Sequence, residues 1–263
     1  MAEPSYGWEH GAYCAMFVAE TDRLAAVARG GDLTAPVPTC PGWTVAKLLK
    51  HVGTAHAWAA AMVRAGASDT PVAARSLDLG LPDEPSGLPD WLTAGARESA
   101  AYLREAGPDA PAWTFGPVPH ARFWGRRMLH ETLTHRLDAE LALGITPRIA
   151  PEVAADTIDE FLTILPHTLA RAAEPPAYGS GETLHIHTSG GDRAGEWTIT
   201  LEPDGYTWER GHAKGDAALR GDAAAVMPVL LRRADLAAAT GAGDVEVLGD
   251  AAVVARWLEL SAL

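Results

Sequence analysis

The chain reads as an α+β protein of two domains, and three observations carry that reading. Long segments with apolar residues at helical spacing occupy the first two thirds, short alternating runs bounded by Gly and Asp follow, and the stretch EPPAYGSGE between them changes texture. Helices first and a mixed strand and helix unit second place the junction near residue 178, with domains at 1–177 and 178–263. With 263 residues, 48% of them hydrophobic, the chain can bury a sizeable core.

From Glu9 to Arg29 the recurrence of Tyr13, Phe17, Leu24 and Val27 predicts a first helix that Gly30 and Gly31 end. The loop TAPVPTCPGW, with three prolines, delivers the chain to Thr44, the expected N-cap of a second helix. Its buried stripe is Val45, Leu48, Leu49, Val52, Ala59 and Val63. His51 sits at the edge of that stripe and His56 nearer its centre. Residues 67–89, rich in Pro, Gly, Asp and Ser, read as a long irregular connection. A third helix is expected over about Asp90–Ala106. A fourth covers Trp124 to Gly144, with Gly144 as its C′ residue, and a fifth runs from Pro151 with a kink or break at Pro166. Downstream, TLHIHTS, EWTITLEP and YTWERG read as strands. They are followed by DAALRG, a helix from about Asp222 to Arg232, VEVLG and a last helix DAAVVARWLEL.

Composition excludes several classes of function. A net charge of -13, from 34 acidic and 21 basic side chains, makes a phosphate backbone a poor partner, so nucleic acid is not expected. No apolar run reaches the ~18 residues of a membrane span, and the first residues lack the positive and apolar regions of a secretion signal. Cys14 and Cys40 have no ligand spacing and read as free, buried thiols of a protein in a reducing cytoplasm. A monomer or weak homo-oligomer is expected.

The fourth helix carries the main chemical signal. Glu131 and His135, four residues apart, differ by about 40° in direction at ~100° per residue and project together one turn apart. A carboxylate and an imidazole so placed are half of a divalent-metal site, which needs a ligand from elsewhere, and His51 and His56 are the rivals for it. Asp138 lies close beside them as a support for His135. Leu129, Leu133 and Leu137 form the core stripe on the opposite side, so the Glu131 and His135 face is expected either in solvent or lining a roofed cleft, with Ala139 and Ala142 leaving space. The competing reading of the same residues is a solvated helix with an Arg127 to Glu131 ion pair.

Other constellations carry less. In HETLTH the two histidines are five apart and diverge by about 140°, which excludes the zinc-protease geometry. His185 and His187 share one face of a strand, but with no third ligand near in sequence they read as a polar sheet face. No G-x-S-x-G elbow, G-x-G-x-x-G or Walker A pattern occurs. Arg122, Arg126 and Arg127, with Arg232 and Arg233 later in the chain, are candidate forks for a substrate carboxylate, of which Arg127, Arg232 and Arg233 are retained.

On CPGWTVAKLLKHVGTAHAW, HETLTHRLDAELA and the tail from TITLEPDGYTWERG to VEVLGDAAVVARWL, the chain resembles the mycothiol-dependent maleylpyruvate isomerase family, nearly end to end. The resemblance implies a DinB-like four-helix bundle followed by a small α+β domain related to sterol-carrier proteins. It also implies a divalent metal, usually zinc, held by His51, Glu131 and His135, and it is the resemblance that chooses His51 over His56. Mycothiol as thiol cosubstrate would then add through its sulfur to a small electrophile, giving cis/trans isomerisation or S-transfer; no catalytic acid or base is assigned. The rivals are a metal hydrolase using activated water and a non-catalytic binder of an apolar ligand.

Overall fold

In the computed structural model, which describes residues 7–169, 178–190 and 194–261, the chain divides into two compact units at Pro147 and Arg148. The first unit holds four long helices, α1 (His10–Arg29), α2 (Val45–Ala65), α3 (Leu88–Ala106) and α4 (Ala121–Ala142). α1 and α2 each pack against both α3 and α4. Thr44 caps α2 as expected, its side chain accepting from the Lys47 amide at 3.3 Å. The loop before α2 is pinned by backbone bonds such as Val45 N to the Ala35 carbonyl at 3.1 Å, which holds Thr39, Cys40 and Trp43 in place. Tyr13, Phe17, Leu24, Leu48, Leu49, Val52, Leu88 and Leu92 are buried between the helices. Two close approaches require glycine: a Cβ on Gly53 would come within 2.2 Å of the Trp91 ring, and one on Gly125 within 2.9 Å of His10 Nδ1.

α4 departs from the one-sided picture. Leu129, Leu133 and Leu137 are buried as expected, but so are Trp124, Met128, Ala139, His130, Arg136 and Asp138. Ala139 belongs to the apolar core with Leu24, Val45 and Leu48, and Ala142 packs against that core, so these alanines do not open space for a cleft. Helices surround α4 because charged groups on its other sides are paired. Arg136, fully buried, donates to Glu20 at 2.5 Å and to Glu140 at 2.6 Å.

The second unit begins earlier than the change in sequence texture. Helix α5 (Pro151–Leu169) belongs to it, so the expected division at 177/178 gives way to one just before α5; residues 170–177 lie outside the described residues. The reason is in its buried face. Asp159 accepts from Trp197 Nε1 at 3.2 Å and from Arg210 Nε at 2.7 Å, and the Leu162 carbonyl accepts from the Tyr206 hydroxyl at 2.8 Å. α5 also continues through Pro166 to Leu169 without a break.

Five strands form one sheet: β1 (Thr183–Ser189), β2 (Glu196–Glu202), β3 (Gly205–Arg210), β4 (Ala217–Asp222) and β5 (Val245–Gly249). Their order is β3-β2-β1-β4-β5, with β1 and β4 parallel and the other pairs antiparallel. Three short helices follow the same logic, since Asp222, Asp235 and Asp250 each cap one by accepting a backbone N–H at 2.8–2.9 Å. They open α6 (Ala223–Leu230), α7 (Leu236–Ala242) and α8 (Ala251–Leu260). The sequence reading lacked α7. Trp197, Ile199, Leu219, Val226, Met227, Val254 and Trp257 are buried in this unit. Among the described residues no helix is long and apolar enough to cross a membrane.

Candidate metal centre

The first unit brings His51, Glu131 and His135 together. One donor atom from each lies within 4.8 Å of the other two. His51 Nε2 donates to Glu131 Oε1 at 2.8 Å, and His135 Nε2 stands 3.3 Å from the same oxygen. Ligands of a tetrahedral ion with ~2.0–2.1 Å bonds to nitrogen are about 3.3 Å apart, so the three side chains need only small shifts to share one cation. Two imidazoles and a carboxylate suit zinc or a neighbouring first-row divalent ion, and the donor set fits.

His56 does not join them. It is fully buried, donates from Nε2 to Thr132 Oγ1 at 2.8 Å, and lies against Phe17 with ring centroids 5.1 Å apart. Thr132 passes its own proton to the Met128 carbonyl at 2.7 Å. Burial pushes the His56 pKa down to about 4, so the ring stays neutral at physiological pH.

Around the triad stands a layer of supporting groups. Asp138, with no exposed surface, accepts from His135 Nδ1 at 2.8 Å, which directs Nε2 toward Glu131. The loop before α2 holds Asp138 in turn: Thr39 Oγ1 donates to it at 2.6 Å, and Cys40 Sγ lies 3.6 Å away. Thr39, Cys40 and Trp43 were not singled out from the sequence; the only signal was the unusual density of prolines around them. Cys40 is half-buried rather than buried, and both it and Cys14 are free thiols. Trp43 stacks near His135, with ring centroids 6.2 Å apart and planes at 22°, and meets His51 edge-on at 4.9 Å. Arg127 pairs with the second oxygen of Glu131.

Electrostatics follow from these contacts. Burial alone would raise the Glu131 carboxyl, but Arg127 and His135 beside it hold it well below the usual carboxylate range. Burial would likewise lower His135, yet Glu131 and the bond to Asp138 hold the ring well above the usual imidazole range.

Beside the triad lies a cavity of about 280 Å³, lined by His51, Glu131, Arg127, Trp58, Phe115 and Trp124, among others. Its walls are mainly apolar. Trp58 and Trp124 meet edge-on at 5.2 Å, and the Trp58 indole donates to the Val72 carbonyl at 2.7 Å, tying the irregular connection to this wall. A cleft lined by another part of the chain was one of the two alternatives left open by the sequence, and Ala74 and Phe115, from outside α2 and α4, join the lining here. Of the other arginines, Arg122 pairs with Asp109 and Arg126 is buried. Arg232 and Arg233 lie in the second unit, where Arg233 donates to the Leu231 carbonyl at 2.7 Å and Arg232 to the Leu258 carbonyl at 3.4 Å. Arg232 is the one described non-glycine residue with positive φ, at 58°.

The histidines of β1 have more company than their sequence neighbourhood showed. Glu196 is the cross-strand partner of His187, and His212, just beyond β3, reaches the same carboxylate.

Comparison with known proteins gives a consistent picture. The family model described as the mycothiol maleylpyruvate isomerase N-terminal domain matches residues 14–140, and that of the MDMPI C-terminal domain matches residues 152–256. The crystal structure of a mycothiol-dependent maleylpyruvate isomerase is similar at a TM-score of 0.50 with 13% identity, covering 86% of this chain and 88% of that one. A point mutant of a mycothiol-dependent maleylpyruvate isomerase gives a TM-score of 0.51, again at 13% identity, over 90% of this chain and 91% of that one. At such identity the likeness is one of fold. A search of curated proteins finds no significant match. The two family models bracket the junction between the compact units and leave only a short linker and the ends of the chain unmatched, so the chain belongs to the mycothiol maleylpyruvate isomerase family.

Proposed function

We propose that the chain is a divalent-metal-dependent and mycothiol-dependent enzyme that adds a thiolate to a small electrophile, as an isomerase of the maleylpyruvate type or a thiol S-transferase. The observation that carries this reading is the convergence of His51, Glu131 and His135 beside an apolar cavity that His51 and Glu131 help to line, in a chain of this family. A cation bound there, zinc by preference, supplies a positive charge that favours thiolate over thiol at neutral pH.

The protein's own groups do the rest. Asp138 keeps the Nδ1 proton of His135 in place, fixing the tautomer in which Nε2 is the free donor. Arg127, paired with one Glu131 oxygen, leaves the other turned toward His51 and His135 and offers positive charge to a carboxylate on the substrate. Trp58, Phe115 and Trp124 exclude water from the space the electrophile would fill, which protects a reactive sulfur from solvation. Free Cys14 and Cys40 suit a reducing cytoplasm.

Steady-state assays of maleylpyruvate-like unsaturated acids and alkylating electrophiles, with and without mycothiol, test the reading. Turnover that requires the thiol and disappears in His51→Ala is expected. Turnover indifferent to mycothiol would replace the proposal with metal-assisted hydrolysis.

A further inference from the structure

A second group of histidines, wholly within the sheet unit, has the makings of a separate metal site. His185 and His187 project from the same face of β1, since residues two apart on a strand share a face, while Leu184 and Ile186 point to the other and are fully buried. Antiparallel pairing of β1 and β2 sets Glu196 directly opposite His187. The turn after β3 then returns His212 to the same spot, with the Gly211 amide bonded to the Glu196 carbonyl at 2.9 Å.

Four donor atoms result, all within 4.8 Å of one another. Glu196 Oε2 stands 2.9 Å from His185 Nε2 and 2.6 Å from His212 Nδ1, and Glu196 Oε1 stands 3.5 Å from His187 Nδ1. These separations approach the ~3.3 Å edges of a tetrahedral nitrogen and oxygen shell. His185 is only 6% exposed, so at least one imidazole is fixed by packing rather than loose on the surface. Thr198, opposite His185 on this face and 7% exposed, has an Oγ1 with no hydrogen-bond partner. An unpaired buried hydroxyl costs about 1–3 kcal/mol, so this corner of the sheet face has polar capacity that the protein alone does not satisfy. A solvent-open cavity of about 620 Å³ bordered by His187, Glu196 and His212 gives an ion its way in.

We infer that His185, His187, Glu196 and His212 bind a first-row divalent cation of the zinc class, stapling β1, β2 and the segment after β3. Three imidazoles exclude magnesium and calcium, which prefer all-oxygen shells. Four protein donors leave less room for substrate than the three-donor centre of the helical unit, so the role is structural. The inference does not depend on the proposed thiol chemistry.

Titration of the metal-stripped full chain with Zn²⁺ against a chelator of known affinity tests it, with folding of each variant checked by circular dichroism. Two equivalents are expected for the wild type, one for the His187→Ala/His212→Ala double variant, one for His51→Ala, and none for all three changes together. Both sheet histidines are at least partly exposed, so their removal leaves the core intact. Glu196→Gln provides an independent variant and should weaken the sheet site by more than the ~10- to 100-fold typical of losing an outer-shell partner. With Co²⁺ as the probe, the intense visible absorption of four-coordinate cobalt should persist in His51→Ala, weaken in the double variant and vanish when all three changes are combined. Equal zinc uptake by the wild type and the double variant would overturn the inference. One equivalent in the wild type, lost on changing the sheet histidines but not His51, would uphold it and remove the metal from the proposed function.

Discussion

The helical unit and the sheet unit each gather imidazoles around one glutamate, but by different routes. In the first, His51 and Glu131 come from helices 80 residues apart in sequence, and a supporting layer of Asp138, Thr39 and Arg127 holds them at the edge of an apolar cavity. In the second, His185 and Glu196 are 11 residues apart on neighbouring strands, and the cluster faces a broad solvent-open hollow. Long-range assembly with buried support places reactive groups beside a substrate-sized space; local assembly on a hairpin ties strands together. The difference is what supports the two proposals, catalysis in the helical unit and stabilisation in the sheet.

The comparison breaks most visibly if the helical triad is altered. Glu131→Ala should lower thiol-dependent turnover on the order of a thousandfold, the loss expected when several kcal/mol of charge stabilisation go, while leaving the sheet cluster's cation uptake unchanged. Steady-state kinetics beside zinc stoichiometry would show both.

A large effect on stability should come from His56. Its folded pKa is depressed to about 4 from an ordinary 6.5, so the unfolded chain binds the additional proton between those values. Stability from this residue is therefore complete above pH 6.5 and falls as the pH drops to 4. At ~1.4 kcal/mol per unit the loss is about 3 kcal/mol. Denaturant unfolding across that range should show the slope in the wild type and a flatter profile in His56→Gln; parallel profiles would mean that the ring is not neutral and buried as described.

Asp138→Asn keeps the shape but weakens the hold on His135, and should cost about 10- to 100-fold in zinc affinity at the helical site. Competition with a chelator reads it directly. Gly53→Ala tests the packing that brings α2 to α3, because the new Cβ would meet the Trp91 ring at 2.2 Å; overpacking of this kind costs about 1–3 kcal/mol in denaturant unfolding. The smallest effect is expected in the sheet unit. Arg232 holds a left-handed backbone conformation that costs a non-glycine residue about 1 kcal/mol, so Arg232→Gly should raise stability by about that much.

Much of this molecule was legible before its fold was known. Apolar spacing found the four long helices, Thr44 announced the start of α2, and the i,i+4 relation of Glu131 and His135 marked two members of the cluster that converges with His51. Spacing could not choose between His51 and His56, because both lie toward the packed side of α2; burial against Phe17 and Thr132 keeps His56 apart from the cluster that His51 joins. An amphipathic stripe likewise says that α5 buries a face without saying against what, and Asp159 bonding to Trp197 and Arg210 supplies the answer. α7 escaped because LAAATGA has no apolar rhythm, leaving only Asp235 as a capping signal. The sheet cluster escaped for a related reason: H-x-H was visible, but Glu196 and His212 become its neighbours only through strand register.

Thiol chemistry at the helical triad requires that sulfur and metal meet there. Cobalt-loaded protein titrated with mycothiol and followed by visible and near-ultraviolet absorption measures this directly. A sulfur-to-cobalt charge-transfer band that saturates with the thiol in the wild type, and is missing from His51→Ala, is the expected result. Cobalt bound at that site whose spectrum ignores mycothiol at every concentration would contradict it.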